Sequence, residues 1–244
     1  MSEEEQTLAI KMGARALVHS GFWDESPSEE FLRLIADRQT FLISTLSGTL
    51  DLLLERWHPE RLDDPHIQLT VPPLELATLK DPQAWQWSSR ELARNNVPGW
   101  VPDFIVDLLL SLFVSEETIV MMLNSAASAI KSMYDRGVPI VAGTDSGNYP
   151  IMLNFFHGPS MIRELELLSM AGLPNAAVIK SATATPAKML GIDNTIGTIE
   201  VGKRADLLIT SCDPLDDISC LRQLAWIVKD GVMKTPAEWM DAND

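Results

Sequence analysis

An α/β fold is predicted by three observations. The run Val138-Pro139-Ile140-Val141-Ala142 is apolar throughout and ends in Gly143-Thr144-Asp145-Ser146-Gly147, which suits a buried parallel strand delivering a carboxylate at its C-terminal tip. Segments with helical apolar spacing flank it, through Ile119, Leu123, Ala126, Ile130 and Met133 before it and Met161, Leu165 and Leu168 after it. Toward the C-terminus, residues 197–209 read as a tight turn feeding a strand, and residues 226–233 as a closing hairpin.

In chain order, residues 14–21 form a short strand that ends in His19. Ser26-Pro27-Ser28-Glu29 is read as a capping box opening a helix through Phe31, Leu34 and Ile35. Residues 40–46 form the next strand. A long excursion then runs over residues 47–136. Its first part carries Pro59, Pro65, Pro72, Pro73, Pro82, Pro98 and Pro102 among Trp57, Trp85, Trp87 and Trp100. Prolines at this density exclude long regular elements and favour an ordered, wrapped loop. The indoles either pack a local core there or lie over a ligand pocket. Residues 104–114 are apolar, interrupted by Asp107 and too short to span a bilayer, so they are expected to form a buried helix. The next helix opens near Ser115-Glu116-Glu117 and stops at Gly137. Beyond the Gly-Thr-Asp strand, His157-Gly158 precedes a helix that ends near Gly172. In residues 182–191, Thr185 can cap, Pro186 fits the first helical turn and Gly191 fits the stop.

Hydrophobic residues make up 46% of the 244-residue chain and charged residues 22%, enough apolar material for a sizeable core. The net charge of -15 argues against nucleic acid and anionic membrane partners, because binding phosphates requires clustered Lys and Arg. The two cysteines, Cys212 and Cys220, have neither the density nor the context of a disulfide framework and are read as reduced. Ser2-Glu3-Glu4-Glu5 opens an acidic helix instead of the basic start of a secretory signal, so the expected location is cytoplasmic unless a targeting segment lies upstream.

Taken in order and spacing, these motifs resemble the C-terminal part of the amidohydrolase superfamily, particularly its imidazolonepropionase-like and dipeptidase-like members. The resemblance implies a partial TIM-type (β/α)8 barrel, of which about the last three strands are present, plus part of a small β-sandwich domain. Residues 1–192 would be the barrel part, with the Pro/Trp-rich insertion at about 47–115, and residues 193–244 the β domain. Residues 14–21, 40–46 and 138–147 then correspond to the sixth, seventh and eighth strands.

The same resemblance assigns a site. Asp145 would be the catalytic Asp and a metal ligand, accepting a proton from water and passing it to the leaving nitrogen. Read alone, an Asp in this setting serves equally to cap the following helix. His19 would hold metal, although Val18 stands where the family has an acidic residue and Ser20 intervenes before Gly21. A histidine at a strand end is otherwise a satisfied structural residue more often than a ligand. His157 would orient a substrate carbonyl or carboxylate, the alternative being a surface or helix-capping role. The cofactor implied is one or two divalent ions, most often zinc, and the reaction is hydrolysis of an amide or cyclic amide C–N bond in a small molecule.

The remaining donors of such a site have no counterpart in the sequence. No His-x-His occurs, and a catalytic zinc takes about three protein ligands. A whole barrel needs about 250 residues before any accessory domain is added. The expectation is therefore a piece of a longer hydrolase, completed by a missing N-terminal half or by a homo-oligomer. The alternative is a non-catalytic chain that works by association.

Overall fold

A computed structural model describes residues 2–19, 21–22, 25–49, 51–94, 97–147 and 156–241. Helix α1 (Glu3–Lys11) starts at a capping box in which the Ser2 hydroxyl accepts the Glu5 N–H while the Glu5 carboxylate accepts the Ser2 N–H at 2.7 Å. After β1 (Ala16–Val18) comes α2 (Glu29–Asp37), with Ser28 as its N-cap. The box expected over residues 26–29 does not form. Three residues beyond Ser28 stands Phe31, which has no carboxylate, and Glu3 of α1 supplies one instead, accepting the Ser28 N–H at 2.8 Å and its hydroxyl at 2.5 Å.

Strands β1, β2 (Phe41–Ser44) and β3 (Ile140–Ala142) form a parallel sheet in that order, with Leu17 opposite Leu42 and Ile43 opposite Val141. Parallel strands need crossover connections, and here helices supply them. Leu17, Leu42, Ile140 and Ala142 join Phe31, Ile35, Ile130, Met133, Leu165 and Leu168 in the main core.

The excursion between β2 and β3 differs from the wrapped loop that its prolines suggest. It is a chain of short helices: α3 (Leu46–Thr49), 3-10 turns at Asp51–Arg56 and Pro59–Asp63, α4 (Pro65–Thr70), α5 (Pro73–Leu79), α6 (Pro82–Arg94) and α7 (Asp103–Phe113). The prolines sit where a helix tolerates them. Pro59, Pro65, Pro73 and Pro82 open their elements, and Pro72 and Pro102 are N-caps, so no intrahelical N–H is lost. This region has its own core of Leu62, Ile67, Val71, Leu76, Leu79 and Trp85, joined by Phe156. Trp85 buries its ring there and donates its indole N–H to the Leu79 carbonyl at 2.7 Å, whereas Trp87 and Trp100 are exposed.

Helix α7 also departs from expectation. Val106 is buried, but Phe104, Leu108, Leu112 and Phe113 are exposed. The acidic edge of α7 meets α6, with Arg90 binding Asp107 at 2.8 Å and Arg94 binding Asp103, while the apolar face is turned outward.

Helix α8 (Glu116–Asp135) follows the predicted pattern, with the Ser115 hydroxyl accepting the Thr118 N–H and Ile119, Ala126, Ile130 and Met133 buried. After β3 come α9 (Pro159–Met170), α10 (Asn175–Ser181) and α11 (Ala184–Leu190). The N-cap of α11 is Thr183, two residues before the threonine expected to cap it, and Gly191 ends the helix as expected.

The C-terminal residues form an antiparallel sheet of β4 (Leu207–Thr210), β5 (Leu224–Lys229) and β6 (Val232–Lys234), then α12 (Pro236–Asp241). The β5–β6 turn places Asp230 at φ 49 and Gly231 at φ 79, the pair of left-handed residues that a tight hairpin favours. Cys212 and Cys220 are bonded to each other, which corrects the expectation of reduced thiols. The turn between β4 and the 3-10 helix Ile218–Arg222 brings their Cα atoms to 5.6 Å, well inside disulfide range. Among the described residues, no helix is long and apolar enough to cross a membrane.

Candidate functional site

Parallel strands point their C-terminal ends to one edge of a sheet, and that edge carries both sequence-predicted ligand residues. His19 follows β1 and Asp145 follows β3, with the tip of β2 between them. His19 has φ 66 and Asp145 φ 56, so both occupy the left-handed region that non-glycine residues rarely adopt. Such backbone strain costs about 1–3 kcal/mol and concentrates at functional sites.

The β2 tip organises both neighbours. His19 donates its N–H to the Ile43 carbonyl at 3.0 Å, and its Nδ1 lies 2.6 Å from the Thr45 hydroxyl. That contact occupies Nδ1 and leaves Nε2 as the ring nitrogen available to a ligand. On the other side, the Gly143 N–H donates to the Ser44 carbonyl at 2.7 Å. A Cβ on Gly143 would stand 2.7 Å from Ile43 Cγ2, so only glycine permits this approach.

The Asp145 turn is tied to the residue before His157. The Thr144 hydroxyl lies 2.8 Å from the Ser146 hydroxyl, which donates to the Phe156 carbonyl at 3.2 Å. His157 is exposed, and a Cβ on Gly147 would lie 3.9 Å from its Nε2. The structure thus brings His157 up to the loop that carries Asp145.

Beside this edge lies a cavity of about 370 Å³, lined by Ser47, Phe156, Ser160 and a set of charged residues. Asp51 is its anchor: Arg163 of α9 grips the carboxylate with two bonds of 2.8 Å, and Arg61 donates both to that carboxylate and to the Asp51 carbonyl. Burial pushes the Asp51 carboxyl up, but the Arg163 and Arg61 guanidiniums outweigh it and hold the group below its ordinary range. Arg222 continues the network to Glu166 at 2.5 Å and Asp64 at 2.7 Å.

A further buried acid escaped the sequence reading. Glu164 of α9 is fully buried, accepting the Ser44 hydroxyl and, at 2.7 Å, the Ser47 N–H. Burial pushes its carboxyl upward, opposed in part by these hydrogen bonds. A signal existed: Glu164 stands three residues after Met161 and four before Leu168, on the apolar face of its helix, where a carboxyl needs a reason. The Asp51 network had no such signal, because its members are scattered through polar stretches.

As donors for a divalent cation, imidazole and carboxylate are the right kinds. Their number is not sufficient. Among the described residues no three His, Cys, Asp or Glu side chains form a metal-binding group, so the chain alone does not fit a complete catalytic metal centre.

Comparison with known proteins gives a consistent picture. A family model described as "Amidohydrolase family" matches residues 76–236. An imidazolonepropionase of Thermoplasma acidophilum is 36% identical over 103 residues, which are 42% of this chain and 24% of that protein. A 5-methylthioadenosine/S-adenosylhomocysteine deaminase of Desulforudis audaxviator is 34% identical over 92 residues, 36% of this chain and 21% of that protein. Among solved structures, a Xaa-Pro dipeptidase with methionine bound in its active site superposes with a TM-score of 0.59 at 21% identity, covering 96% of this chain and 43% of its own. A molinate hydrolase does so at 0.57 and 20% identity, covering 96% of this chain and 41% of its own. At these identities the structural likeness is one of fold. The matched region spans about a quarter of the curated relatives, and the chain spans less than half of the solved ones.

Proposed function

Because the chain belongs to the amidohydrolase family, we propose that it carries part of the active site of a metal-dependent hydrolase that cleaves a C–N bond, in an amide, cyclic amide or dipeptide, of a small molecule. The observation that carries this reading is the placement of His19 and Asp145 at the C-terminal tips of flanking parallel strands, both in strained left-handed backbone. In this reading the parallel sheet is the last three strands of a (β/α)8 barrel, whose chemistry sits at strand C-termini. Residues 1–192 belong to that barrel, with the insertion at about 47–115, and residues 193–244 to part of a small β-sandwich domain.

Asp145 takes the proton of the attacking water and delivers it to the departing nitrogen, a role suited to an exposed carboxylate at the site edge. His157, beside the Asp145 loop, orients the substrate carbonyl or carboxylate. Members of this family are generally metal-dependent. His19 and Asp145 are this chain's contribution to holding the ion, zinc in this reading, and the remaining donors come from a preceding half of the polypeptide or from a second copy. The location proposed is the cytoplasm. In the complete polypeptide, Asp145→Asn abolishes turnover of a panel of dipeptides and lactams while the circular dichroism spectrum is unchanged. Retained turnover in the pure variant would sink the role.

One observation favours a second reading, in which the chain acts by association without catalysis. The antiparallel sheet leaves Leu208, Ile209, Trp226, Val232 and Met233 exposed, apolar side chains on both of its faces that another polypeptide would cover. Light scattering on the purified chain separates the two readings. A folded monomer that neither binds zinc nor gains activity with any partner leaves only association.

A further inference from the structure

The residues that carry the proposed chemistry do not explain Glu164. It lies on α9, behind the sheet edge, and it is fully buried. A carboxyl removed from water is costly unless hydrogen bonds hold it, and the groups that hold this one come from a single turn, residues 44–47. That turn is the hub of the candidate site. Its Ser44 carbonyl receives the Gly143 N–H, two residues before Asp145, and its Thr45 hydroxyl meets Nδ1 of His19.

We infer that Glu164 is a positioning residue: by clamping the Ser44 hydroxyl and the Ser47 N–H, it fixes the turn that aims His19 Nε2 and the Asp145 loop at a common point. The clamp acts at a distance, through Thr45 on one side and the Ser44 carbonyl on the other. Two bonds to one carboxyl, from residues three apart, set both the position and the rotation of the turn. One bond would leave the turn free to pivot. A clamp of this kind matters because a hydroxyl contact as short as 2.6 Å is lost with a small rotation of Thr45. The value of this positioning for turnover rests on the hydrolase reading, whereas the clamp itself does not.

The test therefore avoids both metal and substrate. Long-range proton–nitrogen correlation spectra of the metal-free 244-residue chain read the two ring nitrogens of each of its four histidines, with His19→Gln assigning the His19 pair. Thr45→Val, which deletes the hydroxyl, supplies the reference position for an unclamped His19. In Glu164→Leu, which keeps the bulk and removes both acceptors, the His19 pair moves to the Thr45→Val position while the His58 and His66 pairs stay. In Glu164→Gln the pair keeps its wild-type position, because the amide still accepts from the Ser47 N–H and can donate to the Ser44 hydroxyl. A folded Glu164→Leu chain with a wild-type His19 pair overturns the inference and leaves Glu164 as an ordinary structural residue. Should Glu164→Leu fail to fold, Ser44→Ala removes one arm of the clamp at little cost in volume. A displaced His19 pair in that variant supports the clamp, and an unmoved pair refutes it. Zinc titration of the wild-type chain is read separately, so failure of the hydrolase reading would not be mistaken for failure of the clamp.

Discussion

The two sheets of this chain have three strands each, yet they are built to opposite standards. In the parallel sheet, Leu42 is 0% exposed and β3 is buried at every position, whereas in the antiparallel sheet Leu208 is 59% exposed and Met233 is 56% exposed. The difference follows from connection type. Parallel strands are linked by helices that must pack on the sheet, and α2, α8 and α9 cover it; the antiparallel strands are joined by a 3-10 turn and a tight hairpin, which bring little cover of their own. The covered sheet is also the one whose strand tips carry His19 and Asp145, the two residues proposed as metal ligands. Left-handed non-glycine backbone does not by itself separate the two sheets, since Asp230 in the β5–β6 turn has φ 49; what separates them is that His19 and Asp145 follow strands of the covered sheet.

The largest test of this contrast concerns the charged network that locks α9 over the sheet. Among the described residues, Asp51→Ala leaves Arg163 only its 3.4 Å contact with Glu166 and Arg61 only the backbone carbonyl of residue 51, and it costs about 3–5 kcal/mol in urea unfolding. The pH dependence has a definite sign. Asp51 titrates below its ordinary value of about 3.9 in the folded chain, so its contribution is complete above that pH and is lost as acid approaches the depressed value. Wild-type and variant stabilities should therefore converge in strong acid. A constant gap across pH would mean that Asp51 acts through packing alone.

Next in size is a matched pair of leucines. Leu42→Ala opens a void in the middle of the covered sheet and costs about 2–5 kcal/mol. Leu208→Ala, on the open face, changes stability by no more than about 0.5 kcal/mol. Equal costs in the same denaturation series would erase the distinction between the sheets.

The smallest effect tests the joint between the insertion and α8. His58 lies 2.7 Å from Glu116 and 3.1 Å from Glu60, and these carboxylates, Glu116 foremost, raise its pKa above the ordinary value of about 6.5. The pair is stabilising at low pH, fully so below that ordinary value, and the contribution fades as pH rises through the raised one. Because the ring is half exposed, the expected effect is a shift of a degree or so in Tm between wild type and His58→Gln at pH about 6, vanishing in alkali. A Tm difference that grew with pH would contradict the assignment.

How much of this was legible in the sequence depended on how local the signal was. The three parallel strands, α8, α9 and the closing hairpin announce themselves through apolar period and turn residues, and all are present. The Gly143 to Asp145 tip was legible as a strand end carrying a carboxylate between glycines, but read alone it fitted helix capping as well as a site, and only the family resemblance favoured the site. The insertion was misread because proline density says that long elements are broken and says nothing of helices that begin at each proline. Helix α7 was misread because apolar content predicts burial only where a neighbouring element covers the apolar face, and among the described residues of α7 only Val106 is buried. The Cys212–Cys220 bond and the Asp51 network depend on chain reversals that composition does not encode. Glu164 was readable in principle, as a lone acid on an apolar helical face.

His19 and Asp145, as proposed above, together form part of a metal site. The most direct measurement is zinc titration of the 244-residue chain, followed through the His19 ring nitrogens, in wild type, His19→Ala and Asp145→Ala. With two of about three donors in place, binding should be weak, should move the Nε2 resonance of His19 selectively, and should be lost in both variants. Zinc that leaves His19 unmoved, or binds either variant as well as the wild type, would contradict the account.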